Sequence, residues 1–220
     1  MWIYIKEVPD STGPEALTGK HLHQIFFDYY KTLDIKKISD EYLIRHAMDY
    51  DNGALSDHLQ NFAAFNCYIY SSLKDKAKIK PVLIEEHLFY PKLNMSGYVD
   101  AIFEDDDNNC MVLDYKTGKF DEKRLHEYRQ ELSIYSELAK ESKRCKPTHW
   151  GISFTKSGVF WKENIQPDYF KTSVLPLFKE LRESIAKQLF PPNVGPLCLY
   201  CSMKNRCSAW SRSSGAVLKM

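Results

Sequence analysis

Gly97-Tyr98-Val99-Asp100 and Met111-Val112-Leu113-Asp114-Tyr115-Lys116-Thr117-Gly118-Lys119 are two short runs of strand-forming residues, and each contains a carboxylate. The segment between them includes Glu104-Asp105-Asp106-Asp107-Asn108-Asn109, which is polar and rich in turn-forming residues. Two apolar runs joined by such a turn are typical of a β-hairpin. We therefore predict that the two runs form neighbouring strands of a central hairpin.

Asp114 and Lys116 are two residues apart on the second predicted strand. Side chains alternate between the two faces of a strand, so this pair shares one face and Tyr115 lies on the other. A hairpin can bring Asp100 of the first strand beside the pair. Carboxylate oxygens suit a hard divalent cation such as Mg²⁺, and a lysine ammonium suits a phosphate. The hairpin thus predicts a site for a cation and a phosphate.

These residues resemble the motifs of a known group of nucleases. Gly-x-x-Asp at 97–100, followed by Asp-x-Lys-Thr-Gly at 114–118, is similar to the RecB-like branch of the PD-(D/E)xK nuclease superfamily. Gly19 and His23 match the upstream Gly-x-x-x-His of that branch, which opens a helix. Residues 132–135 lie where the branch has a Gln-x-x-x-Tyr helix. The pieces occur in the family's order, and the resemblance covers most of the chain.

The resemblance implies a metal-dependent mechanism. His23, Asp100 and Asp114 would bind the metal, and the backbone carbonyl of Tyr115 would complete the protein's ligands. Three side-chain ligands leave positions for water and a phosphate oxygen, as Mg²⁺ and Mn²⁺ prefer. Lys116 would orient the attacking water or stabilise the transition state.

The predicted helix departs from the family's Gln-x-x-x-Tyr pattern. Gln130 lies five residues before Tyr135, so the family's spacing falls on Glu131 instead. Residues four apart share a helix face. We therefore expect Glu131 and Tyr135 to face the site, with Glu131 adding a metal or water contact and Tyr135 reaching a phosphate or a base. The alternative is an ordinary amphipathic helix in which Leu132 and Tyr135 belong to the core.

Three of the six cysteines, Cys198, Cys201 and Cys207, have the spacing of metal ligands near the C-terminus. The resemblance implies a [4Fe–4S] cluster, because iron–sulfur members of this branch use three such cysteines and one upstream of the His motif. This chain has no cysteine before Cys67. Either the start is truncated, or the cluster is lost, or Cys67 or Cys145 completes it, or Zn²⁺ is bound by the three cysteines together with a histidine.

Composition bounds the remaining possibilities. With 220 residues, 44% of them hydrophobic, the chain is long enough for one sizeable α/β domain. The net charge is only +1, so a nucleic-acid enzyme must segregate its basic residues. We expect Lys119, Lys123 and Arg124, which follow the Asp-x-Lys motif, to bind DNA. No apolar run approaches the roughly 20 residues of a membrane span, and no signal peptide is visible, so we expect an intracellular, cytoplasmic protein.

The periodicity of the sequence predicts its organisation. Helical spacing is found at about 17–31, 38–75, 121–141 and 169–190, with a break expected at Pro176, and strands are predicted at about 82–90, 95–103, 110–116, 148–154 and 158–161. These elements predict an α/β, restriction-endonuclease-like core with a central mixed sheet flanked by helices. We assign residues 1–190 to the nuclease core and 191–220 to a cysteine-containing tail packed on it.

The leading hypothesis is a Mg²⁺- or Mn²⁺-dependent nuclease acting on DNA. The resemblance to CRISPR-associated adaptation nucleases and to iron–sulfur exonucleases of repair implies exonuclease action on single-stranded DNA or DNA ends, possible protein partners in a repair or defence complex, and no membrane. The alternative is a non-catalytic nucleic-acid-binding subunit of such a complex. A third hypothesis, a zinc module for protein contacts, leaves the Asp-x-Lys pattern unexplained.

Overall fold

The computed structural model describes residues 14–142, 146–192, 194–195, 198–199, 201 and 203–210. The chain divides into two units, of which the larger is Thr18–Pro176. The described residues on either side of it belong to the second unit. The predicted boundary at residue 190 falls inside this second unit, and the packing of a cysteine-containing tail on the core stays a prediction.

Helices and strands follow the predicted order. The helices are α1 (Pro14–Thr32), α2 (Asp40–Met48), α3 (Ser56–Ser72), α4 (Leu125–Glu141) and α5 (Leu175–Lys187). The strands are β1 (Leu83–Tyr90), β2 (Met95–Glu104), β3 (Cys110–Lys116), β4 (Pro147–Phe154) and β5 (Val159–Asn164). None of the described helices is long and apolar enough to cross a bilayer.

The five strands form one mixed sheet in the order β1-β2-β3-β4-β5. The pairs β1–β2, β2–β3 and β4–β5 are antiparallel, whereas β3 and β4 are parallel. Parallel neighbours need a crossover connection, and α4 lies on the connection from β3 to β4. The predicted α/β fold with a central mixed sheet flanked by helices is therefore confirmed, as is the β2–β3 hairpin.

The main hydrophobic core includes buried side chains of α1, α2, α3 and the central strands. The Phe26 and Phe62 rings stack with their centroids 4.1 Å apart, and the Tyr115 ring lies 4.8 Å from Phe26. Along α3, Phe62 and Phe65 belong to this core, whereas the Tyr68 side chain is half-exposed against Phe160.

A buried polar chain runs through this core. The Tyr30 hydroxyl donates to Asn66 Oδ1 at 2.7 Å and lies 2.9 Å from the Tyr115 hydroxyl. A buried hydroxyl without a partner is costly, so each of these groups fixes the others. The Tyr115 side chain is thus held by packing on its ring and by a hydrogen bond at its tip, which also fixes the backbone of β3 beneath the candidate site.

The structure refines two details of the predicted helices. Gly19 does not open α1 (Pro14–Thr32) but lies inside it. Pro176 lies within a longer helical run, because a π-helical segment at Phe170–Val174 leads directly into α5 at Leu175. Proline lacks an N–H and clashes with the preceding turn, so the predicted break at Pro176 is a local change of helix geometry and not the start of a separate helix.

Candidate metal centre

The helix α1 brings His23 to the edge of the sheet where β1, β2 and β3 meet. Its Nδ1 lies 2.8 Å from Glu85 Oε1 and 3.6 Å from Asp100 Oδ1. Its Nε2 lies 3.2 Å from the backbone carbonyl oxygen of Tyr115. Residues 22, 25, 26, 29 and 30 of the same helix are buried, so packing of its apolar face fixes the imidazole in this position.

The β2–β3 ladder ends where the site begins, at the pair Ala101 and Leu113. Beyond it, the Asp100 carboxylate takes the place of a strand backbone, because its Oδ2 accepts a hydrogen bond of 2.7 Å from the Tyr115 N–H. The carbonyl of Tyr115 points to the same side as its N–H and meets His23 instead of a ladder partner. The end of the hairpin thus presents a backbone carbonyl to the site.

Asp114 and Lys116 lie on the same face of β3, as the alternation of side chains predicts. The Lys116 ammonium is 2.9 Å from Asp114 Oδ2 and 2.8 Å from Glu131 Oε2 on α4. The Tyr135 hydroxyl, one helical turn further on, donates to Glu131 Oε1 at 3.3 Å. Glu131 and Tyr135 therefore face Lys116, and Glu131 contacts the ammonium directly.

Burial and charge strongly perturb the titration of this cluster. Burial opposes the protonation of His23, but the hydrogen bond to Glu85 and the surrounding carboxylates outweigh it and raise the pKa of His23 to about 9. Burial raises the pKa of Asp100 to about 6, although the charge of His23 works against the rise. Burial and the charge of Asp100 raise the pKa of Asp114 well above its usual value. The positive charge near Asp100 and Asp114 is thus too small to offset their burial and their mutual repulsion.

Lys116 compensates for part of this negative charge. Burial disfavours its ammonium, but Asp114 and Glu131 outweigh burial and raise the pKa of Lys116 above its ordinary value. Asp114 Oδ2 is fully buried, and its close contact is the 2.9 Å ion pair with the Lys116 ammonium. A buried carboxylate oxygen in this condition is typical of a position that a cation completes.

The close donor atoms suit a divalent cation, although their group contains Glu85 and does not contain the predicted ligand Asp114. His23, Glu85 and Asp100 form the only group of three or more such side chains, among the described residues, whose ligand atoms lie within 4.8 Å of one another. Adjacent ligands of an octahedral Mg²⁺ are about 3 Å apart, because each lies roughly 2.1 Å from the ion. The 3.2 Å separation of His23 Nε2 and the Tyr115 carbonyl oxygen matches such an edge.

Sequence reasoning missed Glu85. No motif marks it, and the strand that carries it was predicted only as an element. The register of β1 and β2 pairs Ile84 with Ala101, which puts Glu85 opposite Asp100. Its backbone φ is 44°, an uncommon value for a residue with a side chain, and such strain clusters at functional sites. A correct register for the β1–β2 pair would have brought Glu85 into the predicted site.

The three predicted DNA-binding side chains are exposed on the segment that follows β3. Lys119 and Arg124 line a cleft of about 240 Å³ together with Lys116 and Glu131. Arg124 is not a lone cation, because its guanidinium pairs with Glu127 at 2.8 Å. Lys123 does not line this cleft. The structure thus places two of the three basic residues beside the Lys116 side of the centre.

The structure does not gather the C-terminal cysteines into a metal site within the part of the chain that it describes, since no cysteine belongs to a group of three close ligands. Local hydrogen bonds nevertheless form a turn around Cys198. The Gly195 N–H donates to Cys198 Sγ at 3.4 Å, and the Cys201 N–H donates to the Cys198 carbonyl oxygen at 3.3 Å. Hydrogen bonds to sulfur are common around Cys-ligated metals. Cys145 lies outside the described residues.

A mixed sheet that ends in an imidazole, buried carboxylates and a paired lysine is characteristic of enzymes that cleave phosphodiesters with a divalent metal. Comparison with protein families agrees, because the model of the PD-(D/E)XK nuclease superfamily matches residues 2–208. The chain belongs to this superfamily. Its members are typically nucleases and generally use divalent metals such as Mg²⁺, so membership indicates metal-dependent cleavage of nucleic acid. No curated protein gave a significant match to the chain.

Proposed function

We propose that the protein is a Mg²⁺- or Mn²⁺-dependent deoxyribonuclease of the RecB-like branch. The observation that carries the proposal is the meeting of His23, Asp100 and the Tyr115 carbonyl at the end of the β2–β3 hairpin, beside the Asp114–Lys116 pair. We propose single-stranded DNA or DNA ends as substrate, exonuclease action, and a role with protein partners in cytoplasmic repair or defence. These finer points rest on the motif resemblance.

In this proposal the cation is held by four groups, namely the side chains of His23, Asp100 and Asp114 and the carbonyl of Tyr115. When bound, the metal supplies a water of lowered pKa and neutralises negative charge on the phosphate. Glu85 acts through His23, because its carboxylate holds Nδ1 and thereby directs Nε2 towards the Tyr115 carbonyl. Carboxylates that orient a metal-binding histidine in this way raise its basicity.

Lys116 is the group that meets the reacting phosphate. Its ammonium is fixed between Asp114 and Glu131, and their charges keep it protonated. A fixed cation of this kind stabilises negative charge that develops on phosphate oxygens in the transition state. Tyr135 holds Glu131 by a hydrogen bond. We therefore assign Glu131 and Tyr135 to the positioning of Lys116, and Lys119, Lys123 and Arg124 to contacts with the DNA backbone.

We propose that a [4Fe–4S] cluster or Zn²⁺ is bound by Cys198, Cys201 and Cys207. This metal would stabilise the C-terminal tail and would take no part in cleavage. The spacing of the three cysteines supports this, as does the N–H that points at Cys198 Sγ. Protein purified without oxygen should contain either iron and sulfide or zinc. The amount of metal per chain should fall when Cys201 is changed to Ser. Purified protein that contains neither metal would reject the assignment.

The experiment that tests the nuclease is cleavage of an end-labelled single strand of DNA with Mg²⁺ or Mn²⁺, with EDTA as the control. The wild type should cleave, and both Asp114→Asn and Lys116→Ala should abolish cleavage while binding to the strand remains. A wild type that binds the strand but never cleaves it with either metal would favour the alternative, a nucleic-acid-binding subunit. Full activity in either variant would contradict the assigned mechanism.

A further inference from the structure

A cleft of about 570 Å³ opens directly beside the candidate metal centre. Lys20, Gln24 and Phe27 of α1 line one wall, and Tyr98 of β2 lines the other. His23 and Glu85 lie where the two walls meet the centre. The cleft shares His23 and Glu85 with the centre, so a strand whose phosphate reaches the metal can extend into it.

The β1–β2 pair carries aromatic rings that face solvent, and one of them, Tyr98, lines the cleft. Tyr98 is 63% exposed, and its ring lies 4.8 Å from that of His87, its cross-strand partner on β1. His87 is also exposed, and so is Phe89, two residues further along the same face of β1. We call His87 and Tyr98 the stacking pair. Tyr98 thus presents a flat ring to solvent within the cleft.

The opposite wall offers groups that suit a sugar–phosphate backbone. Lys20, Gln24 and Phe27 recur at helical spacing, so they follow one stripe of α1. Lys20 is exposed and supplies a positive charge. The Gln24 amide donates one hydrogen bond to Asp28 Oδ1 at 3.1 Å and has a second N–H to offer. The cleft thus has a wall for cationic and polar contacts and a wall for flat rings, and His23 lies at its inner end.

We propose that this cleft binds single-stranded nucleic acid, with a base stacked on Tyr98 of the stacking pair and the backbone held along Lys20 and Gln24. The proposal rests on the proposed nuclease function, because it names the form of the substrate that the same centre cleaves. Every base has a π-face, so stacking on an aromatic side chain is tolerant of sequence. Bases inside a duplex are covered by their neighbours and cannot stack in this way, so the stacking pair selects single strands.

The test uses the full chain in EDTA, so that no strand is cut. Fluorescence anisotropy measures binding of a dye-labelled oligothymidylate and of an abasic strand of equal length and charge. The wild type should bind the strand with bases on the order of tenfold more tightly than the abasic strand. The Tyr98→Ala variant should lose this preference and keep its affinity for the abasic strand, whereas Tyr98→Trp should retain the preference.

The matched control is Tyr68→Ala, which removes another half-exposed tyrosine. Tyr68 lies on α3, and its ring packs against Phe160 of β5 rather than lining this cleft. This variant should bind both strands as the wild type does. Equal affinity of the wild type for the two strands, absence of binding to both, or an unchanged preference in Tyr98→Ala would overturn the proposal.

Cleavage is measured separately, so that failure of this inference is distinct from failure of the nuclease. If the protein prefers the strand with bases through Tyr98 but never cleaves DNA, the stacking proposal is supported and the nuclease proposal is rejected. Conversely, if the protein cleaves with Mg²⁺ but binds both strands equally, the nuclease proposal is supported and only the stacking proposal is rejected.

Discussion

The two faces of β3 differ in what surrounds their buried side chains, although the residues compared are adjacent in the chain. On one face, Tyr115 is buried in an aromatic core, and its hydroxyl is satisfied by Tyr30. On the other face, Asp114 is equally buried, yet the close contact of its Oδ2 is an ion pair with the Lys116 ammonium. The comparison teaches that the core face pairs its polar groups internally, whereas the charged face retains buried negative charge, which we propose a cation balances.

The largest expected effect is on the charged face. Replacing Asp114 with Asn keeps the shape but removes the negative charge, so cleavage with Mg²⁺ should fall by at least about a hundredfold. The same change should raise the free energy of unfolding in EDTA, because it relieves a buried carboxylate whose pKa is already raised. Cleavage rates and chemical denaturation of the same preparation measure the two effects. Loss of activity together with loss of metal-free stability would contradict the contrast between the faces.

Glu85→Gln should weaken metal binding, because the neutral amide cannot sustain the basicity of His23. We expect the affinity for Mn²⁺ to fall roughly 10–100-fold, as is usual when the carboxylate behind a metal-binding histidine is removed. The pKa of His23, raised to about 9 in the wild type, should fall towards its ordinary value in metal-free protein. Calorimetric titration and NMR of the His23 ring measure these changes.

The control for this variant is Glu86→Gln on the same strand, because Glu86 does not belong to the group of close metal-ligating side chains. It should leave both the Mn²⁺ affinity and the His23 titration unchanged. If Glu85→Gln behaves like Glu86→Gln, Glu85 has no part in positioning the imidazole.

The core face predicts a change that costs stability but little activity. Tyr115→Phe keeps the ring and removes the hydroxyl that bonds Tyr30, so the free energy of unfolding should fall by about 1 kcal/mol. Cleavage should stay within a few-fold of the wild type, because the contribution of Tyr115 to the site is its backbone carbonyl. A variant of normal stability that no longer cleaves would show that the two faces are not separable.

The sequence predicted the parts of this site that depend on local periodicity. The alternation along β3 placed Asp114 with Lys116, and the helical repeat in α4 placed Glu131 with Tyr135. It could not reveal Glu85, since that position depends on the register of a strand pair with no motif. It also could not reveal that the Asp100 carboxylate replaces a backbone partner of Tyr115, because only the three-dimensional end of the ladder shows it.

The pH dependence of the metal-free protein follows from the raised pKa values. A folded-state pKa of about 9 for His23 means that its stabilising effect is complete below about pH 6.5 and is lost as the pH rises through 9. Asp100, with a folded-state pKa of about 6, changes stability in the same direction. Folding favours its protonated form, so its contribution to the free energy of unfolding declines as the pH rises through 6.

The free energy of unfolding in EDTA should therefore decline between about pH 4 and pH 9, after allowance for the other titrating groups. Added Mg²⁺ should raise the melting temperature most at the alkaline end, where His23 no longer has to release a proton. The decline above pH 6.5 should be absent from His23→Gln. An unchanged slope in that variant would show that His23 does not carry the effect.

The smallest expected effect concerns Gly19, one helical turn before His23. Glycine within a helix costs roughly 0.5–1 kcal/mol relative to alanine, and an added Cβ would meet Thr117 Oγ1 at 3.7 Å, an ordinary contact. Thermal denaturation should therefore show Gly19→Ala to be slightly more stable than the wild type. A destabilised variant would mean that a Cβ at this position cannot be accommodated beside Thr117.

The central claim is that His23, Asp100, Asp114 and the Tyr115 carbonyl bind one divalent cation. Anomalous diffraction from crystals soaked in Mn²⁺ tests it most directly, because the method locates the metal without reference to activity. We predict one strong peak with these four groups at roughly 2–2.5 Å, and no such peak in crystals of Asp114→Asn. A peak held by other residues, with His23 still paired to the Tyr115 carbonyl, would contradict the account.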